Sequence, residues 1–401
     1  MSEPNIVVLK VRRGDRFLQP RAATEALRNT DTIQVEIADA RDRRSVEADP
    51  ATFASADEMP IMPIKPFQTA QEHQIQETIS TWGIKAVQAD TSPFNGSGST
   101  VAVLDSGIDL DHPAFGAIRQ RIEVQDFTGT GIQDVSGHGT HCAGTIFGQD
   151  LPLGEGTLRI GIARDVRKAY VGKIFGGQDT TANLVKAMEW AVSKQSDVIS
   201  MSVGVNWIEM VEKYKERMPE QAVISSALVN YRRNLRLFDS LMKQLAEVSN
   251  SDEGSVVVAA SGNESDQSAL VPYRVSCSLP AAAEDIISVG ALRKTPIGLI
   301  AASFSNTNPT ISAPGFAVKS AQTGGGLKDM DGTSMACPHA AGVAALWWEA
   351  MRSMTPTRRT TSFIVSANLV ASVQRGSAVF SPALDLELHG AGLVTAPQAF
   401  G

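Results

Sequence analysis

The chain has 401 residues, of which 43% are hydrophobic and 20% are charged, and its formal net charge is -7. This length can bury a large core and suggests one large domain together with a smaller one. The negative charge is not the electrostatic footprint of a protein that binds nucleic acid. The three cysteines are widely spaced, which indicates neither a disulfide framework nor a cysteine metal site.

The N-terminal sequence and the length of the apolar segments indicate where in the cell the protein is located. The N-terminus lacks a basic stretch followed by an apolar run of signal-peptide length. No segment approaches the ~18 apolar residues that a membrane-spanning helix requires. We therefore expect a cytoplasmic protein with no membrane partner, and we leave export by a non-standard route open.

Residues 1–74 are predicted to form a small α+β N-terminal region. Alternating apolar residues predict strands at 6–11 and 32–37, with a short helix at 21–28 between them. Residues 59–66 contain three prolines, whose spacing favours an extended segment over a helix or a central strand. A domain boundary is expected between residues 55 and 75, and the pattern after it predicts a helix at 70–82.

Residues 75–401 are predicted to form the second domain, in which short apolar segments alternate with helical patterns. Strands buried on both faces are predicted at 101–104, 197–201, 255–260 and 286–289. Helices are predicted at 181–194, 207–217 and 222–248, and the last two form a helical insertion at about residues 205–254. This alternation predicts an α/β domain with a mostly parallel central sheet that is covered on both faces.

Residues 331–342 read Asp-Gly-Thr-Ser-Met-Ala-Cys-Pro-His-Ala-Ala-Gly and run into an apolar helical pattern. Ser334 is therefore expected at the N-terminus of a buried helix, whose free N–H groups would face an oxyanion formed there. Pro338 is expected in the first turn, where its missing N–H costs little. This arrangement suits a nucleophile, although a simple helix cap is the commoner reason for such a junction.

Three more polar residues lie at the ends of predicted strands or helices, a position that suits catalytic residues. Asp105 and Asn263 each follow a buried strand, and the carboxyl ends of parallel strands are where active sites collect. His138 lies between two glycines at the start of a small-residue helical segment. The ordinary alternatives are that Asp105 is a turn residue, that His138 is a structural histidine with its hydrogen bonds satisfied, and that Asn263 is a turn residue in the left-handed conformation. His138 and His141 also allow a metal site, but the third ligand that HExxH chemistry requires is missing.

These four segments together resemble the subtilisin-like serine proteases, the subtilase family. The resemblance rests on residues 103–109, 137–144, 260–264 and 331–342, and it extends from about residue 75 to the end of the chain. It implies a subtilisin-like three-layer α/β fold. It also implies a serine endopeptidase that cleaves a polypeptide substrate through an acyl-enzyme intermediate.

The resemblance assigns roles residue by residue. Ser334 would be the nucleophile, His138 the general base, and Asp105 the carboxylate that orients the imidazole. Asn263 and the backbone N–H of Ser334 would hold the oxyanion. The strand that pairs with substrate and the wall of the primary specificity pocket would consist of Ser202, Val203, Gly204, Ala260, Ser261 and Gly262. Glu264 would either favour basic or polar side chains in that pocket or remain a solvated loop carboxylate.

Some features of the chain depart from the family pattern. The chemistry requires no cofactor, and we assign no metal ligand. Structural calcium is left open, because Ala114 replaces a side-chain ligand and residues 147–154 do not resemble the usual calcium loop.

Residues 1–74 occupy the place of the family's prodomain, so we expect an intramolecular inhibitor whose segment 59–66 fills the cleft. A simple spacer between two domains is the alternative. A non-catalytic binding protein on a subtilase scaffold is the alternative function. An acid-acting serine-carboxyl peptidase is disfavoured, because that relative has Glu at the position of His138.

Overall fold

The computed structural model describes most of the chain, namely residues 5–12, 32–64, 79–154, 156–216, 218–248, 253–354, 359–375, 379–381 and 383–399. The helix predicted at 21–28 and residues 70–78 of the helix predicted at 70–82 lie outside the described residues.

The secondary structure of the described residues alternates between strands and helices after residue 100. The strands are β1 (Asn5–Arg12), β2 (Thr32–Asp39), β3 (Thr52–Asp57), β4 (Ile61–Pro63), β5 (Thr100–Asp105), β6 (Ile122–Asp126), β7 (Leu151–Leu153), β8 (Gly156–Leu158), β9 (Lys168–Lys173), β10 (Val198–Met201), β11 (Val203–Val205), β12 (Val256–Ala260), β13 (Ile286–Thr295), β14 (Gly298–Ala301), β15 (Ile311–Pro314), β16 (Val318–Ala321) and β17 (Leu327–Met330). The α-helices are α1 (Arg43–Ala48), α2 (Trp82–Ala86), α3 (His138–Phe147), α4 (Thr181–Ser193), α5 (Trp207–Lys215), α6 (Glu220–Val248), α7 (Thr333–Met354), α8 (Ser362–Ala371) and α9 (Leu386–His389). Two 3₁₀ helices lie at Ala40–Asp42 and Pro113–Arg121.

The central sheet has the strand order β14-β13-β12-β10-β5-β9-β6, with β15 beside β13, and every pair except β13–β14 is parallel. Its middle strands are buried on both faces, as their apolar sequences predict. In β5, Val101 and Val103 pack into one core, whereas Ala102 and Leu104 pack into the other. The predicted strands at 101–104, 197–201, 255–260 and 286–289 are confirmed.

Helices cover both faces of this sheet. Helix α7 packs against β10, β12, β13 and β15 on one face and contacts α3 there. Helix α4 packs against β5 and β9 on the other face, where Leu237 and Phe238 of α6 join the same core. The predicted three-layer α/β fold with a mostly parallel sheet is confirmed. Within the described part of the chain, no helix has the length and hydropathy needed to cross a membrane.

The N-terminal region adds a fourth layer outside α4 and α6. Strands β2, β1 and β3 form an antiparallel sheet, which contacts α6 through β2 and β3 and α4 through β2. The apolar residues Val7, Leu9 and Ala56 of this sheet belong to the same core as α4 and α6. The sequence predicted β1 and β2, whereas α1 and β3 were not predicted. Helices α4 and α6 therefore lie between two sheets.

Asp57, at the end of β3, connects the N-terminal sheet to the insertion. Its side chain is buried. Its carboxylate accepts hydrogen bonds from Arg43 of the same region and from Arg233 of α6, the latter at 3.1 Å. Asn234 of α6 donates to the backbone carbonyl of Asp57 at 3.1 Å. Two arginines on different layers therefore share one buried carboxylate.

We predict that Asp57→Ala loosens the N-terminal sheet from α6. Removing one partner of a largely buried ion pair leaves the other charges unpaired, which costs about 2–4 kcal/mol. Amide hydrogen exchange of β1–β3 should accelerate by at least about tenfold. Glu36→Ala is the control, because the Glu36 carboxylate is exposed in its pair with Lys10 and exposed ion pairs contribute little to stability. Equal exchange rates in the two variants would contradict this prediction.

Candidate active site

Three neighbouring strands end at one edge of the central sheet and bring the polar residues together there. Strand β5 ends at Asp105, Ser202 directly follows β10, and Asn263 lies three residues after the end of β12. Because β12, β10 and β5 are adjacent and parallel, their carboxyl ends meet at the same edge. The fold therefore brings together residues that are widely separated in the sequence.

His138 is the first residue of α3 and faces Asp105. The two side chains are joined by a hydrogen bond of 2.7 Å between His138 Nδ1 and Asp105 Oδ1, and both are buried. Burial disfavours the imidazolium, but the charge and the hydrogen bond of Asp105 outweigh it, so the pKa of His138 is raised above 6.5. The Nε2 atom of His138 is buried without a hydrogen-bond partner among the described residues. That nitrogen is available to take a proton.

Asp134 supports the start of α3, and the sequence analysis missed this role. Its carboxylate accepts hydrogen bonds from the N–H groups of Gly137 and Thr140, each at 2.8 Å, and from Ser106 Oγ at 2.9 Å. The carboxylate satisfies free N–H groups of the helix and stabilises its positive end. An aspartate shortly before Gly137 was the available signal. The negative charge of Asp134 also raises the pKa of His138.

Ser334 is the second residue of α7 and is buried. The expected place of Pro338 is wrong: α7 begins at Thr333, so Pro338 lies in the second turn rather than the first. A proline has no N–H, which leaves the carbonyl four residues earlier without its helical partner. That carbonyl belongs to Ser334, and it accepts instead from Ser202 Oγ at 3.0 Å and from Cys142 Sγ at 3.4 Å. The proline thereby ties α7 to the end of β10 and to α3.

Asn263 has a fixed amide orientation. Its Oδ1 accepts from both the N–H and the hydroxyl of Thr333, each at 2.9 Å. The Thr333 hydroxyl also accepts from the N–H of Gly262 at 3.1 Å. Because Oδ1 is held by α7, the amide nitrogen points away from Thr333, and it lies beside Gly332. Thr333 was not identified from the sequence as a residue that positions this amide.

The extended segment 61–64 lies in the site, in contact with Ser334. Strand β4 pairs antiparallel with β11, and Met62 is opposite Gly204. The N–H of Ile64 donates to the carbonyl of Ser202 at 3.4 Å. Ser334 Oγ donates to the carbonyl oxygen of Ile64 at 2.8 Å. A peptide of the chain itself therefore lies along the strand that was assigned to substrate pairing.

The side chain of Ile64 is 1% exposed and lies against Gly204, where a Cβ would come within 3.4 Å of Ile64 Cγ1. Ser278 Oγ is also close to this point, and the N–H of Ser278 donates to the carbonyl of Ser261 at 3.0 Å. Gly204 thus lies against the bound aliphatic side chain, and Ser261 is hydrogen-bonded to Ser278, which lies near the same point, whereas the roles of Ala260 and Gly262 stay predictions.

Glu264 is not the solvated loop carboxylate of the alternative interpretation, whereas its role in selecting side chains stays a prediction. It is half-buried rather than solvated, and its Oε2 accepts from Asn306 Nδ2 at 2.6 Å. Burial raises the pKa of Glu264. A Cβ on Gly262 would lie 2.2 Å from Asn306 Nδ2 and 2.4 Å from Glu264 Oε2, so this pair packs directly against the glycine. The carboxylate is engaged with Asn306 behind the loop.

The possible metal ligands in this region have other partners. His141 Nε2 lies 3.0 Å from the carbonyl oxygen of Val318, and burial lowers the pKa of His141 to about 3. Asp105, His138 and Cys142 have potential ligand atoms within 4.8 Å of one another. Burial raises the pKa of Cys142 well above its usual value, which opposes the thiolate that a metal would require. The structure therefore gives His138 and His141 separate hydrogen-bond partners rather than placing them in one metal site.

Together, these groups can perform nucleophilic chemistry on a carbonyl. A hydroxyl on a helix N-terminus contacts a peptide carbonyl, and a histidine with a free Nε2 and a carboxylate-bound Nδ1 lies in the same site. A positioned amide and free helix N–H groups can stabilise negative charge.

Comparisons with known proteins agree with this arrangement. The model of the subtilase family matches residues 96–387. A cuticle-degrading serine protease of Arthrobotrys oligospora is 30% identical over 328 residues, covering 75% of this chain and 67% of the relative. Subtilisin E of Bacillus subtilis is 32% identical over 269 residues, covering 66% of this chain and 58% of the relative. A thermostable alkaline protease of Halalkalibacterium halodurans is 31% identical over 294 residues, covering 71% and 66%. The chain thus spans about three fifths to two thirds of these relatives, and it belongs to the subtilase family of serine endopeptidases.

Proposed function

We propose that this protein is a serine endopeptidase that uses Ser334, His138 and Asp105. The observation that carries the proposal is the contact of Ser334 Oγ with the carbonyl oxygen of Ile64, in a site where His138 is bound to Asp105. A serine hydroxyl is a weak nucleophile at neutral pH, so it needs a base in reach.

The proposed reaction proceeds in two stages. Ser334 Oγ attacks the carbonyl carbon while His138 Nε2 takes its proton, and Asp105 stabilises the resulting imidazolium. Asn263 and the N–H groups at the start of α7 stabilise the oxyanion; loss of such an asparagine in subtilisin lowers kcat by roughly 10²–10³-fold. His138 then gives the proton to the leaving amine. Water hydrolyses the acyl-enzyme by the same steps in reverse order.

We further propose that the N-terminal region restrains the enzyme by occupying the substrate strand. Supporting this, β4 makes the antiparallel pairing that an extended substrate would make with β11. The N-terminal sheet adds contacts with α4 and α6, so the inhibiting peptide is held at a second place. The bond between Ile64 and Lys65 would be the first to be cut.

We expect that Ser334→Ala abolishes peptide hydrolysis without unfolding the protein, with a loss of about 10⁶-fold in kcat, the size known for subtilisin. A fluorophosphonate probe should label the wild type and not the variant. Ser353→Ala on the same helix is the matched control, because Ser353 is exposed and bonds within α7. A wild type that binds peptides but is never labelled or active would favour the non-catalytic binding protein.

The activity should fall on the acid side as His138 becomes protonated, because only the neutral imidazole accepts a proton. Asp105 raises the pKa of His138 above 6.5 when a peptide occupies the site, so the acid limb of kcat should lie above that pH. Asp105→Asn removes the raising charge while burial remains, so the limb should move to lower pH and kcat should fall by about 10⁴-fold. Asp111→Asn, at an exposed side chain, should leave the profile unchanged. Superimposable profiles for Asp105→Asn and wild type would refute the assignment.

Incubation of the purified full chain should produce a new N-terminus at Lys65, detected by N-terminal sequencing, together with a rise in peptidase activity. The rise follows because cleavage frees one end of the peptide that occupies the site. Ser334→Ala should remain full length. A wild type that stays full length and fully active would remove the restraint proposal and favour the spacer.

A further inference from the structure

The extended segment in the site continues upstream of β4, with further backbone hydrogen bonds to the catalytic domain. The N–H of Ile61 donates to the carbonyl of Asp179, and the carbonyl of Pro60 accepts from the N–H of Asn206, each at 2.8 Å. The carbonyl of Met59 accepts from the N–H of Thr181 at 2.8 Å, and its N–H donates to Thr181 Oγ1 at 3.1 Å. These are main-chain interactions that do not depend on the side chains of the segment.

Met59 lies five residues before Ile64, and its side chain is 4% exposed. It fills a pocket between the two helices of the insertion and the end of β11. The pocket is lined by Val205, Trp207, Met210, Ala227, Asn230, Tyr231, Asn234 and Leu279. Only about 10 Å³ of water-accessible space remains beside Met59. Met210 and Leu279 are themselves buried, as are the polar lining residues Asn230 and Asn234, so the pocket is closely packed around its occupant.

The walls of this pocket come mainly from α5 and α6. Met210 belongs to α5, and its sulfur lies 3.6 Å from Asn230 Nδ2 of α6. That contact joins the two helices behind the Met59 side chain. The lining residues carry no charged side chain, and the Nδ2 groups of Asn230 and Asn234 donate to Met210 Sδ and to backbone carbonyls. The pocket therefore suits an uncharged, largely apolar side chain such as that of Met59.

We propose that α5 and α6 form an additional substrate pocket, which takes an apolar side chain five residues before the residue whose carbonyl Ser334 attacks. The inference rests on the proposed endopeptidase function. The contact of Ile64 with Ser334 and the pairing of β4 with β11 set the register of the bound segment. In any extended peptide bound in that register, the side chain of the sixth residue before the cleaved bond lies in this pocket. The insertion thereby selects longer substrates with an apolar residue at this position.

The pocket is tested first by varying the substrate rather than the enzyme. The full chain is first incubated until its peptidase activity reaches a plateau, so that residues 59–64 no longer occupy the cleft, and is then assayed with the chromogenic amide of acetyl-Met-Pro-Ile-Met-Pro-Ile and with two analogues. Ala in place of the first Met should lower kcat/KM by about tenfold, the scale for a lost apolar group in a pocket. Ala in place of the second Met, which corresponds to the half-exposed Met62, should lower it less than about threefold. Equal values for the parent and the first analogue would overturn the proposal.

A second arm places the preference in the insertion. In Met210→Ala, the ratio of kcat/KM between the parent peptide and the first analogue should fall toward one. Met218→Ala is the matched control, because Met218 is 40% exposed between α5 and α6 and does not line the pocket; it should preserve the ratio. A preference that survives in Met210→Ala would overturn the assignment of the pocket.

Failure of the underlying function gives a different result. If none of the three peptides is cut and the fluorophosphonate probe does not label Ser334, the endopeptidase proposal fails and the pocket fails with it. If all three are cut at the same rate and Ser334 is labelled, only the pocket is refuted.

Discussion

The parallel pairing of β5, β10 and β12 brings Asp105, Ser202 and the loop containing Asn263 to one edge of the central sheet. The strands are buried on both faces, so their register is fixed by packing on each side. Their carboxyl ends cannot shift independently, and the side chains that follow them are held at fixed separations. The helices that begin at His138 and Thr333 pack on the same face and complete the site from there.

One missing hydrogen-bond donor links these parts further. Pro338 leaves the carbonyl of Ser334 free of a helical partner, and the hydroxyl of Ser202 and the thiol of Cys142 take its place. A buried carbonyl without a partner would be costly. The same contact therefore satisfies α7 and fixes the backbone of Ser334 relative to the end of β10 and to α3. The two thiols near the site are buried, and burial raises their pKa values, which is consistent with a packing role.

The N-terminal region and the insertion depend on each other. Helix α6 buries residues such as Leu237 and Phe238 in a core that also contains Val7 and Leu9 of the N-terminal sheet. Removal of the N-terminal sheet would expose apolar surface of α6, which disfavours release of the region by itself. The buried apolar surface, the ion pairs of Asp57 and the pairing of β4 with β11 all hold the N-terminal region against the rest of the chain. The proposed restraint of the site by this region would thus be distributed over a large surface rather than confined to the cleft.

The sequence by itself determined the α/β class, the buried strands and the helices, because apolar periodicity reports local structure and burial directly. Its motifs also nominated Asp105, His138, Asn263 and Ser334, which the structure brings to one edge. Strand β3 and the hydrogen bond between Glu264 and Asn306 depended on partners far away in the chain. The bonds of Asp134 to Gly137 and Thr140 and the position of Pro338 in the second turn of α7 are local, but the sequence patterns did not reveal them. The alignment of Met59 and Ile64 in the cleft was decided only by tertiary structure. Strand β4 pairs with β11, but neither short sequence identifies the other as its partner. Only the packed fold sets their register.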